Sequence, residues 1–429
     1  QERGYASNED LYVPGYFEMG IKKGESIVFS ASTSACKTGG LKRLFDKEVD
    51  ERSPRDNFFH CLVNAAHQFH NRTSKDERYL LAGYPWFKCR ARDTFIALPG
   101  LTLSIEEEDY FELVMQTASR GLYEFMEGKP LTTKIYEIEQ PDVLLWAVWA
   151  VQQYAKHVGR DKCNRKYGKL VQDIVAYIVA DKHPNLQLYS EGKDKAVTWM
   201  NSTANGRPVV PRTGYIVEFN ALWYNALKFC ASMATEYEAE NEAADYEKRA
   251  DLCRNSFLDT FVNQYGYLFD YVEPLDSPDW SVRPNMIFAV ALDYSPLTPA
   301  QQKSVLDVCT RELLTPKGLR SLSPKSGGYN PMYVGPQTQR DYAYHQGTAW
   351  PWLGGFYMEA CLKIYKRTRL SFIERQMVGY EDEMTQHCLG TIPELFDGNP
   401  PFHGRGAISF AMNVAEILRT LELLEKYKY

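Results

Sequence analysis

Residues 142–157 read DVLLWAVWAVQQYAKH, and every position from 143 to 151 is apolar. A helix with no polar face must be buried on all sides. Nine apolar residues fall far short of the roughly 18 that a membrane span needs, so a buried core helix is the reading. The segment before it, residues 108–126 (EDYFELVMQTASRGLYEFM), repeats apolar residues at i, i+3 and i+4 against a charged face. That pattern belongs to a helix half exposed to water.

Outward from this pair the same contrast recurs. The helical period predicts twelve helices, at residues 56–71, 94–103, 108–126, 142–157, 162–180, 217–231, 240–261, 284–292, 299–312, 347–365, 371–387 and 406–425. The even-numbered ones are apolar nearly all round, as in 287–292, and the odd ones are amphipathic. Loops before odd helices are short and polar, as between tightly turned antiparallel neighbours. Loops before even helices are longer and carry Trp, Tyr, Arg, His and acidic residues. Six inner helices ringed by six outer ones satisfy both observations, and the irregular spacing of the inner starts excludes a solenoid of equal repeats. The expected fold is a mainly α (α/α)6 barrel over residues 53–429. Residues 1–52 differ: 12–17 and 26–30 read as short strands and 42–55 as a polar connector, the end of a β domain whose start lies upstream of Gln1.

Composition narrows the function. The chain has 429 residues, 44% hydrophobic and 24% charged, with a net charge of −6. That balance supports a large core and leaves no basic stripe for nucleic acid. No apolar run spans a membrane. Nine cysteines without a CxxC spacing point to free thiols in a reducing, cytoplasmic compartment rather than to disulfides or structural zinc. Aromatic residues reach 14%, and Tyr and Trp suit both faces and hydroxyls of sugar rings.

The rich loops all precede inner helices, so they open at one end of the ring, and the functional residues are expected there. Before the second helix stand Tyr84, Trp86 and the pair Arg92-Asp93, which can donate to and accept from neighbouring sugar hydroxyls or, equally, cap the helix. Before the sixth come Thr198-Trp199-Met200-Asn201, then Arg212 and Glu218; Trp199 is either a stacking platform or core. Arg283-Pro284-Asn285 opens the eighth helix. Tyr344-His345-Gln346-Gly347-Thr348 precedes the tenth, and Pro393-Glu394-Leu395-Phe396 the twelfth. His345 lacks a second ligand at metal spacing, and His67 and His70 lack HExxH, so no metal or other cofactor is expected. A Glu among Pro, Leu and Phe has a raised pKa when buried, which suits acid–base chemistry. Phosphate loops, GxSxG elbows and cysteine nucleophile patterns are absent, leaving carboxylate chemistry on a hydroxylated ligand.

The motifs Ala82-Gly83-Tyr84-Pro85-Trp86-Phe87 with Arg92-Asp93-Thr94, Thr198-Trp199-Met200, Glu218 with Asn220-Ala221-Leu222-Trp223, Arg283-Pro284-Asn285 and Tyr344-His345-Gln346-Gly347-Thr348 resemble the amylo-α-1,6-glucosidase domains of glycogen debranching enzymes. A fainter likeness reaches glucoamylases. The resemblance implies a β-sandwich upstream, a glycogen or branched α-glucan substrate, and exo-acting inversion without a metal. It makes Arg92 and Asp93 the clamp on the terminal glucosyl unit and Glu394 the general base. The family's general acid is an Asp following Thr-Trp-Met, and here that position is Asn201; residues 405–412 also depart from the family. Two readings follow: a hydrolase whose acid is replaced by an engineered substitution, lost naturally, or shifted to another residue such as Glu218, or a glycan-binding protein without turnover. A polysaccharide lyase would need a basic site, which the charge balance disfavours.

Overall fold

The apolar run at 143–151 folds as expected: Val143–Val158 is helical, and its thirteen residues from Val143 to Ala155 are all buried. The computed structural model describes residues 6–35, 37–180, 187–236, 239–273, 278–387 and 389–428. The outer helices are α1 (Phe58–Phe69), α3 (Glu108–Met126), α5 (Lys169–Ala180), α7 (Glu240–Phe261), α9 (Pro299–Glu312) and α11 (Leu370–Glu381). Alternating with them are α2 (Ala91–Thr102), α4 (Val143–Val158), α6 (Val217–Glu236), α8 (Phe288–Ala291), α10 (Pro351–Tyr365) and α12 (Ala411–Lys428). Each helix of the second set contacts the next, α2 to α4 and so on to α12, and α12 returns to α2. The first set packs outside: α1 on α12, α7 on α6, α9 on α10.

Small residues set the closest crossings. A Cβ on Gly100 of α2 would lie 2.1 Å from the Ala415 carbonyl of α12, so only glycine lets these helices meet. Trp146 and Trp149 fill the centre, packed edge-on against Phe288 and tilted against Phe356. Burial of each such side chain contributes about 1.5–3 kcal/mol.

Local signals place the ends. Asn57 caps α1 by accepting from the His60 amide at 2.8 Å. Thr298 and Gln301 form a capping box on α9, with Pro299 at its first position. The expected helix at 284–292 is shorter: a 3-10 turn, Pro284–Ile287, leads into the four residues of α8, and Leu292 is already extended. The Lys363 ammonium of α10 accounts for this stop, because it donates to the carbonyls of Val290 and Ala291 at 2.9 and 3.3 Å and to that of Leu292. The segment before α5 contains a π turn, Asn164–Gly168.

Three further expectations change. Residues 12–17 and 26–30 form no strand; Tyr12, Tyr16 and Phe17 are exposed, and without a partnering sheet a short strand has no ladder to join. The polar connector is instead partly a helix, Leu41–Asp50, supported by the i,i+4 pair Lys42–Asp46. Helices α10 and α12 start later than the sequence predicts, because Ala349–Trp350 and Ser409–Phe410 are taken into short strands.

The loops at the N-terminal ends of the even helices are tied together by these strands. One sheet has the order Gly404–Arg405, Leu395–Phe396, Ala349–Trp350, Gly318–Arg320, Leu314–Thr315, all antiparallel. Another joins Tyr189–Ser190, Gly214–Ile216 and Tyr271–Val272. No helix among the described residues is long and apolar enough to cross a membrane. The seven described cysteines carry free thiols, six of them buried; Cys36 and Cys388 lie outside the described residues.

Candidate active site

Arg92 and Asp93 stand in the first turn of α2, which starts at Ala91 and so takes in the pair expected on the loop before it. Arg92 is not an open sugar clamp: its Nε and Nη2 grip the two carboxylate oxygens of Asp142 at 2.8 and 2.7 Å, and Nη2 also reaches the Val197 carbonyl at 3.3 Å. Asp142 in turn accepts from the Trp146 indole at 3.0 Å. Asp93 is buried with Arg90 Nε at 3.9 Å. Burial drives its carboxyl pKa up against the opposing charges of Arg90 and Arg92. Tyr84 turns away, its hydroxyl donating to the Gln68 carbonyl of α1, while Trp86 stays 47% exposed.

Trp199 is not an open platform either. It is 7% exposed, with His345, Trp350 and Trp352 set edge-on around it at 5.2–5.3 Å. Its indole donates to Asn285 Oδ1 at 2.7 Å. Asn201 follows, half-exposed, and its successor is pinned: the Ser202 amide donates to His345 Nδ1 at 3.4 Å and its hydroxyl to the Asp341 carbonyl. The chain then reverses through Asn205 and Gly206, both at positive φ.

Beneath lies a buried charge network. Arg212 forks onto Glu218, with Nη2 at 2.6 Å from Oε2, and onto Asp270, with Nη2 at 3.0 Å from Oδ1. Glu218 is 1% exposed and paired with Arg212. Burial raises its pKa, and the Arg212 charge opposes the rise. Asn285 Nδ2 joins the network by donating to Asp270 at 2.7 Å. Arg283 spans outward to the His345 carbonyl at 2.9 Å and Gln346 Oε1 at 2.7 Å.

His345 is buried and stacks on Trp350 at 5.3 Å. Burial, then the charges of Arg283 and Arg90, hold its pKa well below 6.5, so it is a neutral acceptor. Tyr344 packs on His345, Tyr333 and Trp350. Gly347 is required at φ +136°, where a Cβ would lie 2.6 Å from the Tyr329 ring. His67 and His70 lie apart, both near Glu107, at 2.6 and 3.6 Å.

Glu394 closes the ring of loops. It is 2% exposed, and its Oε2 accepts from the Ala407 amide at 2.7 Å. Its carbonyl accepts from Asn413 Nδ2 at 2.8 Å. The sheet carries it to the 344–350 loop, since Phe396 pairs with Ala349. Asp397, just beyond, accepts from the Tyr333 amide at 2.8 Å and Arg405 Nε at 3.0 Å.

Thus Trp199, Ser202, Arg212, Glu218, Arg283, His345 and Gln346 belong to one connected network, with Arg92 beside it and Tyr84 outside. Asp142, Asp270 and Asn285 are the partners that sequence reasoning did not assign. Asp142 pairs across 50 residues and Asp270 across 58, separations that leave no local pattern. Among the described residues no cluster of three metal-binding side chains occurs. A concavity of about 680 Å³ lies on the outer wall between α3 and α5, where Lys166 and Glu112 already pair.

Over 206 residues the chain is 25% identical to the glycogen debranching enzyme of Saccharomyces cerevisiae, a match covering 38% of this chain and 13% of that protein. The chain therefore spans only a small part of that relative. A bacterial glucoamylase solved with acarbose shares the fold, with a TM-score of 0.57 and 15% identity over 91% of this chain and 60% of that one. A mannosylglycerate hydrolase from Thermus thermophilus does so with a TM-score of 0.56 and 12% identity, over 86% of this chain and 100% of that one. Residues 63–419 match the family model for amylo-alpha-1,6-glucosidase, and the chain belongs to that family.

Proposed function

We propose that the chain is an (α/α)6-barrel glycoside hydrolase that removes α-1,6-linked glucosyl stubs from glycogen or branched α-glucan with inversion. The observation that carries this reading is Glu394: a buried carboxylate at the loop end of the ring, oriented by the Ala407 amide at 2.7 Å, in a loop that the strand pairing of Phe396 with Ala349 joins to that of His345. In the reaction, water attacks the anomeric carbon, Glu394 takes its proton, and the bond to the leaving oxygen breaks on the opposite face. That oxygen needs a proton, and residue 201 is where the family's acid stands. Asn201 has no acidic proton to give, so in this chain the leaving oxygen is protonated by solvent, slowly. Arg92 acts as a positioning residue for Asp142, and Asp93, Arg283, His345 and Gln346 shape the pocket around the terminal sugar. Residues 53–429 form the catalytic unit of a cytoplasmic enzyme.

Asn201 also favours a second reading, a glycan-binding protein without turnover. Release of glucose from a branched maltooligosaccharide, followed by anomer-resolved NMR, separates the two. First-formed β-glucose supports the hydrolase; binding with no release, in both the native chain and Asn201→Asp, supports the second reading.

A further inference from the structure

A branch point consists of a stub and the chain it projects from, and both must be held when the stub is cut. At the loop end of the ring a groove of about 460 Å³ opens between the starts of α4 and α6 and the last turns of α3 and α5. Leu144, Leu188 and Phe219 contribute apolar lining, and Tyr177 and Tyr189 are 42% and 38% exposed. Tyr189 is braced edge-on by Tyr215 at 5.5 Å, so its ring is held before any ligand arrives. Gln140 also lines the groove, and its Oε1 is buried without a hydrogen-bond partner. A buried amide oxygen is costly until a donor meets it, and a ligand hydroxyl is such a donor. Among the described residues that line the groove, Glu139 is the charged one. The loop that supplies Gln140 and Pro141 continues into Asp142, the residue gripping Arg92 at 2.7 Å, so groove and mouth share one loop.

We propose that this groove holds glucosyl units of the α-glucan main chain while the stub occupies the mouth, and thereby favours branched polymer over short substrates. Ring faces lie on the tyrosines and a hydroxyl donates to Gln140. The proposal deepens the hydrolase reading and rests on it only for the identity of the sugar.

Calorimetric titration with linear maltopentaose tests it on the full chain. Tyr189→Ala is expected to weaken binding about 5-fold, the size of one lost aromatic contact, and Gln140→Leu by a smaller factor. Tyr189→Phe keeps the ring and retains native affinity, which separates a lost platform from a damaged fold; unfolding temperatures of all three variants are measured alongside. Native affinity in both Tyr189→Ala and Gln140→Leu, or no measurable binding to the native chain, overturns the proposal. Glucose release from branched substrate is scored separately. Its absence with the Tyr189 effect intact would remove the hydrolase reading and leave the groove standing.

Discussion

The loops carrying Glu394 and Asn201 are built to different standards. Glu394 is fixed from every direction: its amide donates to the Ala407 carbonyl at 2.9 Å, its carbonyl accepts from Asn413, and Asn413 in turn accepts from the Trp352 amide at 3.0 Å. Asn201 is half-exposed, and its side chain has no hydrogen-bond partner among the described residues, although Met200 and Ser202 on either side are anchored. The contrast explains how residue 201 can change without harm to the fold. An Asp there and an Asn have nearly the same shape, and neither is bound into the core. At residue 394 the same exchange would disturb a buried, oriented group. A base must be ionised and aimed at water, whereas an acid faces the departing sugar and stands closer to solvent.

The largest expected effect tests the rigid side. Glu394→Gln should lower turnover of α-glucosyl fluoride at least about 1,000-fold, because fluoride leaves without a proton but water still needs a base. Retained activity in initial-rate assays would strip Glu394 of its role. Next comes the loose side. Asn201→Asp should raise hydrolysis of α-1,6-linked glucose about 100-fold, equivalent to about 2.7 kcal/mol of barrier, with an unchanged unfolding temperature. An increase in fluoride hydrolysis of the same size would mean that residue 201 acts on water rather than on the leaving oxygen.

A smaller effect probes how finely the base is placed. Gly406 sits at φ +73°, and a Cβ there would lie 2.3 Å from Glu394 Oε2. Gly406→Ala must therefore push the carboxylate or open the loop. The expected result is about a 10-fold drop in kcat with little change in KM, since misplacement of the reacting group costs rate more than binding. Equal rates in the Ala variant would show that the loop tolerates a displaced base.

The sequence exposes the scaffold more fully than the site. The period of apolar residues locates all twelve helices, and the lack of a polar face in 143–151 separates inner from outer. The short strands at Ala349–Trp350 and Leu395–Phe396 are invisible, because two residues leave no period, yet they bring Glu394 to the His345 loop. The N-terminal segment misleads for the converse reason: residues 12–17 have strand-like composition and no neighbour to pair with. Within the site, Arg92 and Trp199 are legible as important residue types. Their partners, Asp142 and Asn285, are fixed by tertiary packing alone, and these partners turn an apparent clamp and an apparent platform into buried supports.

The smallest expected effect lies in the pH dependence, and it bears on both loops because His345 contacts Ser202 and stacks on Trp350. Burial, reinforced by Arg283 and Arg90, keeps His345 neutral well below pH 6.5, and its Nδ1 accepts from an amide, which requires the unprotonated ring. The unfolded chain binds this proton first, so the contribution to stability is complete above about pH 6.5 and is lost as pH falls below it. His70 behaves alike, its pKa lowered to about 4 by burial against the charge of Glu107. Thermal unfolding should therefore shift to lower temperature on acidification from pH 7 to about 5. At temperatures where the chain stays folded, fluoride hydrolysis by the native chain should show no histidine-like inflection near pH 6.5. For α-1,6 glycosides the Asn201→Asp form should add an alkaline limb, as its carboxyl loses the proton it donates. A histidine-like inflection in the native fluoride profile would place an ionising imidazole at the reacting atoms, and the neutral, supporting role of His345 would fall with it.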